Sequence, residues 1–254
     1  MEMRTPLIAG NWKMHKTVEE AVQVARQLVG LVRGVTEVEV MIAPPYMALY
    51  PVSDAVKGSN VEVGAQNLFW EKEGAYTGEI SAPMIRTAGC RYGIIGHSER
   101  RQYFGETDET VNKRLKAALQ EKLIPVMCVG ESEEERERKE TFSVLDKQVK
   151  DGLKDLFSDD LGSLVIAYEP VWAIGTGKTA TSKQAQEVHL FLRSLLEKSF
   201  GNVLAQKVRI LYGGSVKPAN ISELMGMPDL DGALVGGASL DAETFSEIVR
   251  YNGR

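Results

Sequence analysis

The sequence predicts an α/β fold: a (β/α)8 barrel of eight parallel strands closed on themselves, with an outer ring of helices. Three observations carry this expectation. Eight short apolar runs recur along the 254 residues, and amphipathic helical patterns lie between them. Their spacing, about 32 residues per run, is the size of one strand-plus-helix unit. Strand and helix in alternation imply parallel strands joined by crossover helices, either an open doubly wound sheet or a closed barrel. Eight units in ~250 residues favour the barrel. No Pro/Ser-rich linker divides the chain, so residues 1–254 are expected to form a single barrel domain.

Composition excludes several classes. A charged fraction of 26% and a hydrophobic fraction of 43% are ordinary for a globular chain. A net charge of −5 argues against nucleic acid as the main partner. No apolar segment approaches the ~20 residues of a membrane helix, and the N-terminus lacks a secretory h-region. Cys90 and Cys128 both lie in strand-like runs with no CxxC between them, which suits a reducing cytoplasm. The only histidines, His15, His97 and His189, have no ligand spacing with a Cys or carboxylate pair, so neither a metal nor another cofactor is expected.

The strand candidates are Leu7–Ala9, Val38–Ala43, Val61–Ala65, Tyr92–Ile95, Ile124–Val129, Leu164–Tyr168, Val208–Tyr212 and Ala233–Val235. Lys13 follows the first, on the strand end where barrel chemistry sits; His15 reads as a surface residue. Val18 to Val32 carries the i, i+3/i+4 stripe of a helix with one buried face, as do Thr110–Leu123 and Glu187–Phe200. After the third strand, Gln66 to Glu79 is a long polar and aromatic loop with Phe69, Trp70 and Tyr76. Exposed rings there point to a subunit contact, the expected reading; the alternative is that they fold back on their own core as a compact Ω-loop.

His97 ends the fourth strand at what reads as a helix start, Ser98-Glu99-Arg100-Arg101. The positive end of the helix dipole there should lower its pKa and favour the neutral imidazole. Glu131 to Glu140 reads as a solvated helix face laced with i, i+4 pairs. Leu164 to Tyr168 is too short for a helix and reads as a strand buried on both faces. Glu169 stands at its end, Pro170 stops the ladder, and a loop containing Gly175 and Gly177 leads to a helical pattern near Thr181. A carboxylate on a rigid strand end beside a Gly-containing loop is how a lidded site is built. His189, flanking an apolar stripe, reads as structural. Gly213-Gly214-Ser215 and Gly236-Gly237 each end a strand before a helix. Such turns in the seventh and eighth units present bare N–H groups to a phosphate.

Two weaker motifs are set aside. Gly177-Lys178-Thr179 lacks the first glycine of a P-loop, since Trp172 stands there. Gly175-Thr-Gly177-Lys-Thr-Ala180 fits a dinucleotide pattern but does not directly follow a strand, and no ribose-binding acid follows.

Taken together, Gly10-Asn-Trp-Lys13, Ile95-Gly-His97-Ser-Glu-Arg100, Ala167-Tyr-Glu169-Pro-Val-Trp172, Ala173-Ile-Gly-Thr-Gly-Lys178, Tyr212-Gly-Gly-Ser215 and Val235-Gly-Gly237 resemble the triosephosphate isomerase family along essentially the whole chain. The resemblance implies isomerisation of a triose phosphate through an enediolate, with Glu169 as base, neutral His97 as electrophile and Lys13 stabilising negative charge. It implies that Asn11 helps to place the substrate. Backbone N–H groups of Gly175, Gly236 and Gly237, helped by Ser215, would hold the phosphate. Glu99, beside the lysine, and Cys128 would be supporting residues, and residues 170–180 would form a lid. It also implies a homodimer through Gln66 to Glu79, with Thr77 near the partner's site. Two alternatives remain at this level: another phosphosugar enzyme on the same barrel, and a non-catalytic barrel.

Overall fold

The structure is a computed structural model that describes residues 4–173 and 180–251. Eight strands form a closed, all-parallel barrel in sequential order: β1 (Leu7–Asn11), β2 (Glu39–Ala43), β3 (Val61–Ala65), β4 (Tyr92–Ile95), β5 (Ile124–Val129), β6 (Val165–Tyr168), β7 (Arg209–Tyr212) and β8 (Gly232–Val235). Eleven α-helices among the described residues surround it. They are α1 (Val18–Leu31), α2 (Leu49–Val56), α3 (Ala82–Thr87), α4 (Ser98–Tyr103), α5 (Asp108–Gln120), α6 (Glu133–Glu137), α7 (Thr141–Gly152), α8 (Ser182–Phe200), α9 (Asn202–Lys207), α10 (Pro218–Met225) and α11 (Ala242–Val249). Every strand runs where an apolar run predicted one; β3, β4 and β5 match at both ends, and the other five differ at one end by one or two residues. The second helical stripe is displaced, because Thr107 caps α5 by accepting from Thr110 N and the helix therefore begins at Asp108.

The continuous apolar runs follow from the barrel itself, in which each strand is covered on both faces. Alternate residues point inward: Leu7, Ala9, Met41, Ala43, Tyr92, Ile94, Val126, Cys128, Val165, Ala167, Leu211 and Leu234 fill the interior. Their neighbours along each strand, such as Ile8, Val40 and Ile166, pack outward against the helices. Gly64 takes the inward position on β3 because Met41 and Tyr92 occupy the space; an added Cβ would stand 2.9 Å from the Met41 sulfur. A packed interior leaves the rim at the C-terminal strand ends as the place for chemistry.

Two expectations are corrected. Glu131 is not on a solvated face. It is fully buried, and its Oε1 accepts from Tyr168 Oη at 3.1 Å, Trp172 Nε1 at 3.0 Å and Arg136 Nη1 at 2.9 Å. The solvated helix is only Glu133–Glu137. In the long loop, Phe69 is buried and stacks 4.0 Å from Trp70 and 4.7 Å from Tyr76. Trp70 is half-buried beneath Lys113 and Arg114. The aromatics therefore fold back in part, leaving residues 71–79, with Tyr76 and Thr77, as the exposed rim.

Candidate active site

A cavity of about 300 Å³ opens at the C-terminal end of the barrel, lined by Asn11, Lys13, His97, Glu169, Ser215, Gly236 and Gly237 among others. Units one, four, six, seven and eight each contribute. Glu99 and Cys128 do not line it; Glu99 pairs with Lys13 and Cys128 lies against Glu169. Gly175 and most of the expected lid, residues 174–179, lie outside the described residues.

Lys13 reaches the cavity through a local turn. Asn11, 5% exposed, accepts from Lys13 N at 3.0 Å. This bend holds Lys13 at φ +51, where a residue other than glycine needs outside support. Gln66 supplies it by donating Nε2 to the carbonyls of Lys13 and Ala43, both at 2.8 Å. Lys13 Nζ pairs with Glu99 Oε1 at 2.5 Å.

His97 precedes α4 as its N-cap, and Glu99 N–H donates to His97 Nδ1 at 3.2 Å. A backbone N–H can only donate, so Nδ1 is the acceptor and the neutral ring carries its proton on Nε2. Nε2 lies 2.9 Å from Glu169 Oε1. Burial disfavours the imidazolium, yet the adjacent Glu169 carboxylate outweighs it and the net direction of the His97 pKa is upward. The dipole-lowered value expected from the helix start is thus not met in this arrangement, because a carboxylate at 2.9 Å outweighs the partial charge of a six-residue helix.

Glu169 is 2% exposed. Ser98 holds it with two bonds, N–H to Oε2 at 3.0 Å and Oγ to Oε1 at 3.2 Å. Burial raises its pKa, but His97, Ser98 N–H and the Cys128 thiol lower it more, so the carboxylate is ionised. Burial also pushes the Cys128 thiol well up, leaving it a donor beside that carboxylate.

The glycine turns divide their work. Gly213 N–H donates to Tyr168 O at 2.7 Å, and a Cβ there would come within 2.9 Å of Glu169 Cγ. At Gly214 a Cβ would meet Tyr212 Oη at 2.2 Å. A side chain on either glycine would strike Glu169 or Tyr212, and both glycines line the cavity. α10 starts only at Pro218, so Ser215 is not a helix N-terminus. Gly236 and Gly237 do begin a short 3-10 turn, Gly237–Leu240, at the cavity wall. Ser98 and Glu131 escaped the sequence reading. Ser98 reaches Glu169 across 71 residues of chain and carries no local signal, whereas the Gly-Glu that follows β5 at the same barrel end was a signal passed over for Glu131.

The triosephosphate isomerase family model matches residues 6–252. The chain belongs to the triosephosphate isomerase family. It is 59% identical over 250 residues to a triosephosphate isomerase from Endomicrobium trichonymphae, covering 98% of this chain and 100% of that protein. The triosephosphate isomerase of Moorella thermoacetica is likewise 59% identical over 253 residues, with 98% and 100% covered. That of Geotalea uraniireducens is 53% identical over 250 residues, again with 98% and 100% covered. A carboxylate, an imidazole and an ammonium from distant units thus share one cavity with the glycine turns that follow β7 and β8.

Proposed function

We propose that this chain interconverts dihydroxyacetone phosphate and D-glyceraldehyde 3-phosphate through an enediolate, a step of glycolysis and gluconeogenesis. The observation that carries the reading is the convergence of Glu169, His97 and Lys13 on the cavity that Gly236 and Gly237 line. Glu169 takes the proton from the carbon beside the carbonyl. In the present arrangement its carboxylate rests on Ser98 and His97. Turning to substrate gives up those donors while the surroundings stay buried, so its basicity rises as it moves into place. His97, freed from Glu169, offers its Nε2 proton to the carbonyl oxygen and passes protons between the two enediolate oxygens. Lys13, aimed by the Asn11 turn and by Glu99, stabilises the negative charge that develops there.

Phosphate is held by backbone N–H groups at Gly175, Gly236 and Gly237 with help from Ser215. Asn11 helps to place the substrate, and Glu99 and Cys128 support Lys13 and Glu169. Residues 170–180 close over the site, because an enediolate phosphate in water can eliminate its phosphate. The chain works as one barrel domain, in the cytoplasm, as a homodimer joined through Gln66 to Glu79 with Thr77 close to the partner's site. Among the described residues no helix is long and apolar enough to cross a membrane. A coupled assay on the purified protein should show turnover in both directions, with inorganic phosphate competing. A barrel that binds phosphate but turns over neither triose would overturn the reading.

A further inference from the structure

Glu169 is fixed to its neighbours on one side by an unusually close backbone contact. Its N–H donates to Val129 O at 2.8 Å, and a Cβ added to Gly130 would sit 1.8 Å from Glu169 O. The next residue, Glu131, accepts from Val171 N at 3.2 Å and from the Trp172 ring. One three-residue segment, Val129-Gly130-Glu131, therefore touches both the backbone of Glu169 and the two residues beyond Pro170.

Val129 and Glu131 are buried, at 1% and 0% exposure, while Gly130 between them is only half-buried. A second cavity, of about 330 Å³, lies against it, lined by Gly130, Ser132, Glu135, Gln148, Glu169 and Val171 among others. Across that space the side-chain amide of Gln148 bridges both backbone groups of Gly130. Its Oε1 accepts from Gly130 N at 2.8 Å and its Nε2 donates to Gly130 O at 3.0 Å. Gln148 is itself anchored: it lies on α7 between Leu145 and Val149, which are buried at 0% and 1% exposure. A two-point bond fixes orientation as well as distance, and it adds to the hold that the buried Val129 and Glu131 already give Gly130.

We propose that Gln148 is a positioning residue for the isomerase reaction, setting the place of Glu169 through Gly130 without touching substrate. The inference rests on the reading of Glu169 as base. Displacing a catalytic group by about 1 Å can cost about a hundredfold in rate, whereas the Gly236-Gly237 turn follows β8, three strands from β5 in the barrel order.

The test compares wild type with Gln148→Leu and Gln148→Glu by kcat, by competition with inorganic phosphate, and by the primary deuterium isotope effect on kcat. Gln148→Leu removes both bonds; Gln148→Glu keeps an acceptor for Gly130 N–H. Gln148→Leu is expected to lower kcat by roughly tenfold to a hundredfold. Phosphate inhibition should stay within about twofold and the isotope effect should rise, as proton transfer becomes slower than other steps. Gln148→Glu should recover part of the loss. An unchanged kcat per folded molecule, or a loss matched by weaker phosphate binding with no change in isotope effect, would overturn the inference. Should Gln148→Leu not fold, an isotope effect in Gln148→Glu equal to that of wild type would overturn it as well. If wild type itself turns over no triose phosphate, the reading of Glu169 fails instead.

Discussion

His189 shows how burial dominates the behaviour of a titratable group. It is fully buried on α8, and Nδ1 lies 3.2 Å from Asp229 O. A carbonyl only accepts, so Nδ1 carries the proton, and Nε2 has no partner among the described residues. Burial pulls its pKa from the ordinary 6.5 down to about 4, outweighing the Asp229 carbonyl, which favours the protonated ring; the nearby Arg193 cation adds to the lowering. The unfolded chain therefore takes up a proton at a higher pH than the folded one. The contribution is complete above pH 6.5 and is lost as pH falls toward about 4, by roughly 3 kcal/mol. Denaturant unfolding of wild type and His189→Gln across this range checks it. The two stability curves should converge as pH falls, and parallel curves would contradict the assignment. Reading His189 as structural needed only its place beside an apolar stripe. Ser98, by contrast, was legible only as part of a helix start, since what makes it matter is a carboxylate 71 residues away.

At the scale of elements, periodicity carried far. The strands were visible because both faces of a barrel strand are apolar, and α1 because its stripe at Ala21, Ala25 and Leu28 is buried. Element ends were less visible, since Thr107 and Thr181 fix them through capping bonds of individual side chains. The loop after β3 shows the limit most clearly. Its aromatic content was legible, but which rings turn inward depends on Phe69 meeting Trp70 and on Trp70 lying under Arg114. What remains outside is residues 71–79. Apolar side chains are also exposed on the units around it: Met14 is 94% exposed and Met47 82% exposed, with Tyr50 on α2 and Tyr103 on α4 outward too. An apolar collar around a projecting loop fits a second copy of the chain. Light scattering should give twice the chain mass, and Thr77→Arg should shift it toward one. A single-chain mass for wild type would contradict the dimer.

Across the whole molecule, closure of the barrel makes the site. Lys13, His97 and Glu169 are spread over 157 positions of sequence, yet parallel strands in sequential order bring their ends to one rim. That much followed from counting eight units. The resting pose of Glu169 on Ser98 and His97 did not follow, because it is decided by which donors are nearest once the rim has closed. The central claim is that Glu169 moves the proton. The most direct measurement is proton NMR of dihydroxyacetone phosphate incubated in D2O with wild type and with Glu169→Ala. Wild type should yield glyceraldehyde phosphate and place deuterium on the carbon beside the carbonyl. The variant should lose about three orders of magnitude in both, while still binding inorganic phosphate. Exchange by Glu169→Ala at the wild-type rate would contradict the claim.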